Sequence, residues 1–181
     1  MAESTNTDLA SPIPDDVLRQ VGKVTAEWTK LDYVLRIVCK RLERVTLSSV
    51  RGKEILDLPS HRKVVKAIKE ALNSSSANNK EKILEAIDKI GTGRNENLYG
   101  KRNKIIHGLF YNTNDGSAFT IRVGEPADKP EAINPSDIDA LVSDLCKTWE
   151  DLLKLVPGPS NGVDDRTTEV SVASSFTKSS L

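Results

Sequence analysis

The sequence predicts an all-α fold, a bundle of roughly four helices with a small β-hairpin inserted before the last one. Apolar residues recur at spacings of three and four over most of the chain. Gly, Pro and Asn-Ser clusters fall between those periodic segments. Strand-like composition is confined to one stretch around Asp115-Gly116.

Pro12-Ile13-Pro14 closes an aperiodic start, and Asp15 or Asp16 can cap a first helix. Val17, Val21, Val24, Trp28, Leu31, Leu35, Val38, Leu42 and Val45 then form one seam over 15–45. Val34 and Ile37 widen it, as suits a helix packed inside a bundle. Residues 46–59, with Gly52 and Pro59, read as a connection holding a short helical turn. Ser60 is placed to cap a basic helix over 61–72, whose inner face is Val64, Val65, Ile68, Ala71 and Leu72. A polar loop follows over 73–79. One long helix over 80–107 comes next, either continuous or kinked or broken at the weak spot Gly91-Thr92-Gly93, with Gly108 as its terminator. Two β-prone runs, 109–113 and 118–123, flank a turn. Pro135 opens a last helix carrying Ile138, Leu141, Leu145, Trp149 and Leu152, which stops at Pro157-Gly158-Pro159.

At 181 residues, 38% hydrophobic and 29% charged, the chain suits one domain over 15–156, with disordered segments at 1–14 and 157–181. No apolar run approaches the ~18–20 residues of a membrane span, and the polar start lacks the pattern of a secretory signal. A cytoplasmic protein with no membrane contact is expected. Cys39 and Cys146 read as small core residues rather than a disulfide, and two Cys with two His are too few for structural zinc. Neither a metal nor a cofactor is expected. Lys+Arg and Asp+Glu both number 26, so bulk charge does not announce a nucleic-acid binder and any basic surface must be local.

The segment RNKIIHG, 102–108, concentrates polar chemistry at a helix end. At about 100° per residue, Arg102, Asn103 and His107 share an arc of about 140°. A guanidinium offers a permanent charge and a planar fork for phosphate oxygens, and an imidazole titrates near neutral pH. Together they could move a proton at a ribose 2′-hydroxyl and stabilise charge on phosphate without a metal. The ordinary structural account is a His complementing a helix C-terminus and an Arg lying in solvent.

The order of elements, the Trp28-Thr29-Lys30-Leu31-Asp32 stretch of the first helix and the RNKIIHG segment together resemble the HEPN superfamily (higher eukaryotes and prokaryotes nucleotide-binding). Its hallmark is an Arg followed after four to six residues by a His, often with a polar residue directly after the Arg. Arg102, Asn103 and His107 match it. The resemblance implies a helical bundle that dimerises around a composite cleft, and metal-independent RNA cleavage in toxin–antitoxin or phage-defence systems. It also implies an antitoxin or defence-system partner. His107 would be the acid–base group, Arg102 the phosphate-stabilising group and Asn103 a supporting residue. One branch is silenced through a tyrosine two residues after the His; here Leu109 stands there and Tyr111 follows two places on. Some members bind nucleotide, RNA or a partner without cutting, which is the alternative for this chain.

Asp32, beside the apolar seam, either orients Arg102 or His107 or pairs with Arg36. Arg36, Lys40 and Arg44, at intervals of four, could track an RNA backbone, as could Lys101 and Lys104 beside the motif and the basic run Arg62, Lys63, Lys66 and Lys69. The alternative is solvated helix faces. His61, beside basic neighbours, reads as a surface residue.

Overall fold

The alternating spacing of the first seam produces helix α1 (Asp15–Glu43), the element around which the others pack. The computed structural model describes residues 15–75, 77–93, 97–112, 118–122, 131–132 and 134–158. Asp15 and Asp16 in the first turn of α1 and Lys40 and Arg41 in the last complement the helix dipole. The helix stops short of Val45 because Arg44 takes a left-handed conformation, φ 55°, and the Val45 N–H turns back to the Lys40 carbonyl at 3.1 Å.

The fold is predominantly helical, with five further helices among the described residues: α2 (Val50–Leu56), α3 (His61–Ser74), α4 (Lys80–Ile90), α5 (Leu98–Ile106) and α6 (Pro135–Leu155). Ser49 caps α2 by accepting from Gly52 N at 2.9 Å, so the expected short turn is a capped helix. The helix expected over 80–107 divides in two. Gly91, at φ 69°, ends α4 with its N–H on the Ile87 carbonyl, and a Cβ there would collide with the Asn97 side chain. Asn97 then caps α5, its Oδ1 accepting from Gly100 N at 2.8 Å. α5 ends at Ile106, one residue before expectation, and His107 is its C-cap.

α1 packs most extensively against α6 and next against α3. Leu31, Leu35 and Val38 of α1 meet Ile68 and Leu72 of α3, Ile83, Ile87 and Ile90 of α4, and Leu145 and Leu152 of α6 in one core. Each such side chain, fully buried, stabilises the fold by roughly 1.5–3 kcal/mol. Glu27 adds a polar tie between α1 and α6: one oxygen meets Lys30 Nζ at 2.7 Å, and the other accepts from Cys146 Sγ and Trp149 Nε1, each at 3.2 Å. Cys39 and Cys146 are free thiols. Burial pushes Cys39 up to about 12 and, with Glu27 beside it, Cys146 up to about 11.

After α5 the backbone of β1 (Gly108–Asn112) pairs antiparallel with β2 (Ala118–Arg122), Gly108 opposite Arg122 and Asn112 opposite Ala118. The short β3 (Glu131–Ala132) pairs with the other edge of β2. Gly108 is therefore the first residue of a strand. The expected Asp-Gly turn and the segments 1–14 and 159–181 lie outside the described residues. Among the described residues, no helix is long and apolar enough to cross a membrane.

Candidate functional site

α5 brings the three motif side chains into contact. Arg102 Nη1 donates to Asn103 Oδ1 at 2.8 Å and lies 3.1 Å from His107 Nε2. A guanidinium has only donors, so this imidazole nitrogen accepts and the neutral ring carries its proton on Nδ1. The two hydrogens of Nη1 thus serve two neighbours. His107 is exposed at the helix end, and Asn103 is half-buried.

Arg102 lies deeper. Its Cζ sits 5.3 Å from the centroid of the Trp28 ring, within cation–π range. Burial lowers its pKa, against the opposing influence of Tyr99 and Asp32. Arg102 Nε is buried and has no hydrogen-bond partner among the described residues. A buried donor left unserved costs about 1–3 kcal/mol.

Asp32 stands behind this group rather than in it. Its Oδ2 accepts from Arg36 Nε at 3.1 Å and Nη2 at 2.9 Å, and its Oδ1 faces His61 Nδ1 at 3.7 Å, too far for a hydrogen bond. Asp32 therefore pairs with Arg36 and makes no hydrogen bond to Arg102 or His107, acting on Arg102 only through its charge. Burial pushes its carboxyl up, but His61 and Arg36 outweigh that and hold it below the ordinary aspartate value.

The stripe Arg36, Lys40 and Arg44 is not a surface. Arg36 Nη1 donates to the carbonyls of Ile55, Leu56 and Leu58 at 3.2, 2.8 and 2.9 Å, which caps the C-terminal end of α2. Lys40 is 2% exposed, because α1 is covered by its neighbours over more of its circumference than the apolar seam alone implies. Only Arg44 of the three is exposed. Beside the motif, Lys101 is exposed and Lys104 half-buried; Arg62, Lys63, Lys66 and Lys69 are all exposed on α3.

His61 corrects the surface reading. It is 8% exposed, with its Nε2 2.9 Å from the Gly91 carbonyl. Its ring packs on Trp28 at 4.9 Å and stacks on Tyr99 at 5.1 Å. The signal was present in the sequence: His61 precedes Val64, Val65 and Ile68 by three, four and seven residues, which sets it on the apolar face of α3. Tyr99, three residues before Arg102, was also missed.

No family model, curated protein or solved structure matches the chain.

Proposed function

We propose that this chain is a metal-independent RNA endonuclease of the HEPN type, with a helical bundle and hairpin insertion as its scaffold. The observation that carries the reading is the shared Nη1 of Arg102, which joins Asn103 and His107 into one polar group at the exposed end of α5. His107 takes the proton of a ribose 2′-hydroxyl, and the oxygen attacks the adjacent phosphorus. The bond to the 5′-oxygen breaks and that oxygen takes a proton from water, leaving a cyclic 2′,3′-phosphate and a 5′-hydroxyl, while His107 returns the 2′-hydroxyl proton to solvent. Arg102 offsets the charge that builds on the phosphate.

In the free chain Arg102 occupies the very His107 nitrogen that must receive the proton. A phosphate drawing the guanidinium toward itself releases that nitrogen, so substrate entry and activation of the base are one event.

The setting proposed is cytoplasmic, in a toxin–antitoxin or phage-defence role, with a homodimer sharing a composite cleft and an antitoxin or defence-system partner. The alternative is a non-catalytic helical module that binds nucleotide, RNA or a partner protein. The closed Arg102–His107 contact favours it if that contact persists with RNA bound.

Incubation of total RNA with the protein in EDTA separates the two. Cleavage by the wild type, lost in Arg102→Ala and His107→Ala, supports the nuclease. RNA that is bound and left whole supports the module.

A further inference from the structure

We infer that His61 is a positioning residue for Arg102, acting through the rings of Trp28 and Tyr99; the inference rests on the reading of Arg102 as the phosphate-binding group. Three helices each contribute one ring to a closed triangle. His61 of α3 stacks on Tyr99 of α5 almost in parallel, at 5.1 Å and 12°. It meets Trp28 of α1 at 4.9 Å and 55°, and Trp28 meets Tyr99 at 5.7 Å and 59°. The guanidinium of Arg102 lies over the Trp28 ring.

This arrangement controls Arg102 at three points. Tyr99 and Arg102 are three residues apart on one face of α5, so a ring clamped on Tyr99 sets the rotation of the helix at the point where Arg102 leaves it. Trp28 is the platform on which the guanidinium rests, and His61 sets its tilt. A third hold acts at the entrance to α5: His61 Nε2 donates to the carbonyl of Gly91, the residue at which α4 gives way to the segment leading into α5.

The choice of histidine fits this task better than simple filling of space. Its side chain is 6% exposed, and Nδ1 is buried with no hydrogen-bond partner among the described residues. A phenylalanine would fill the site without that cost. Phenylalanine, however, cannot donate to a carbonyl, and glutamine cannot stack. An imidazole does both. Asp32, held in place by Arg36, faces the remaining nitrogen.

The test reads Arg102 directly, in the full chain with isotope-labelled arginine. Trp28→Leu identifies the ring-current shift that Trp28 imposes on the Arg102 side-chain protons. That shift is expected to fall by at least about half in His61→Ala and in His61→Gln, which keeps a donor for Gly91 but has no ring, and to survive largely in His61→Phe. Cleavage by His61→Gln is expected to fall about tenfold in kcat with KM little changed. An Arg102 shift unmoved in folded His61→Gln overturns the inference, and this variant decides the matter if His61→Ala does not fold. RNA left uncut by the wild type removes the nuclease reading, while the Arg102 resonance still decides the role of His61.

Discussion

Arg36 and Arg102 are both partly buried arginines on helices that pack together, yet their nitrogens are used very differently. All three nitrogens of Arg36 donate, two to Asp32 and the third to carbonyls at the end of α2. Among the described residues Arg102 makes its hydrogen bonds through Nη1 alone, leans on Trp28, and leaves Nε buried and unserved. A saturated guanidinium ties a helix end to its neighbours and has little left for a ligand. An unsaturated one beside an exposed imidazole does. Where its donors go, rather than its charge or its partial burial, is what distinguishes Arg102 from Arg36.

The contrast breaks first at the motif. His107→Ala is expected to reduce RNA cleavage about 10²–10⁴-fold, and Arg102→Ala about 10²–10³-fold. Initial rates on labelled RNA measure this. Because His107 is exposed, thermal unfolding of His107→Ala should stay within about 0.5 kcal/mol of wild type. A variant that unfolds early would place His107 on the structural side of the comparison.

Arg36→Ala should do the reverse. Removing it strands the Asp32 carboxylate and three carbonyls, a loss of about 3 kcal/mol, or roughly 6–12 °C in Tm for a chain of this size. Denaturant unfolding measures it. Cleavage per folded molecule should change far less than in Arg102→Ala; a large fall in activity with an unmoved Tm would erase the distinction between the two arginines.

Asp32 gives a smaller effect with a defined pH dependence. Its folded pKa is held below the ordinary value of 3.8, so its contribution is fully present above that value and is lost as pH falls through the folded pKa. Asp32→Asn should cost about 1.5 kcal/mol at neutral pH. Wild type and variant should converge on acidification below 3.8. Glu27 and Glu43 are also held low, so the difference between the two pH–stability curves is the quantity to read. Parallel curves through the acid range would remove Asp32 from the network.

Lys101, exposed beside the motif, should matter least. Lys101→Ala is expected to raise KM about two- to threefold and to lower the salt slope of RNA binding by about one. An unchanged slope would mean that the RNA backbone does not pass over this face of α5.

What the sequence disclosed follows the range of the interactions. α1 was readable because its seam repeats over 29 residues, and the grouping of Arg102, Asn103 and His107 because it depends only on the turn of one helix. The division between α4 and α5 was marked by Gly91, but its reason, the Asn97 side chain lying where a Cβ would be, is a contact across the intervening segment. Lys40 and Arg36 looked like surface cations because nothing local says how much of α1 its neighbours cover. His61 is intermediate: its place on the apolar face of α3 was in the pattern, whereas its stack on Tyr99 joins residues far apart in sequence.

Under the proposed function, Arg102 and His107 act as a single device for cleavage through the ribose 2′-hydroxyl. A defined RNA oligonucleotide containing the cleaved linkage, incubated with wild-type protein in EDTA and compared with the same strand carrying one 2′-deoxy nucleotide on the 5′ side of the scissile phosphate, tests it most directly. The first strand is expected to yield a cyclic 2′,3′-phosphate and a 5′-hydroxyl, and the second to stay uncut at that position. Equal cleavage of both strands, or an intact first strand, would contradict it.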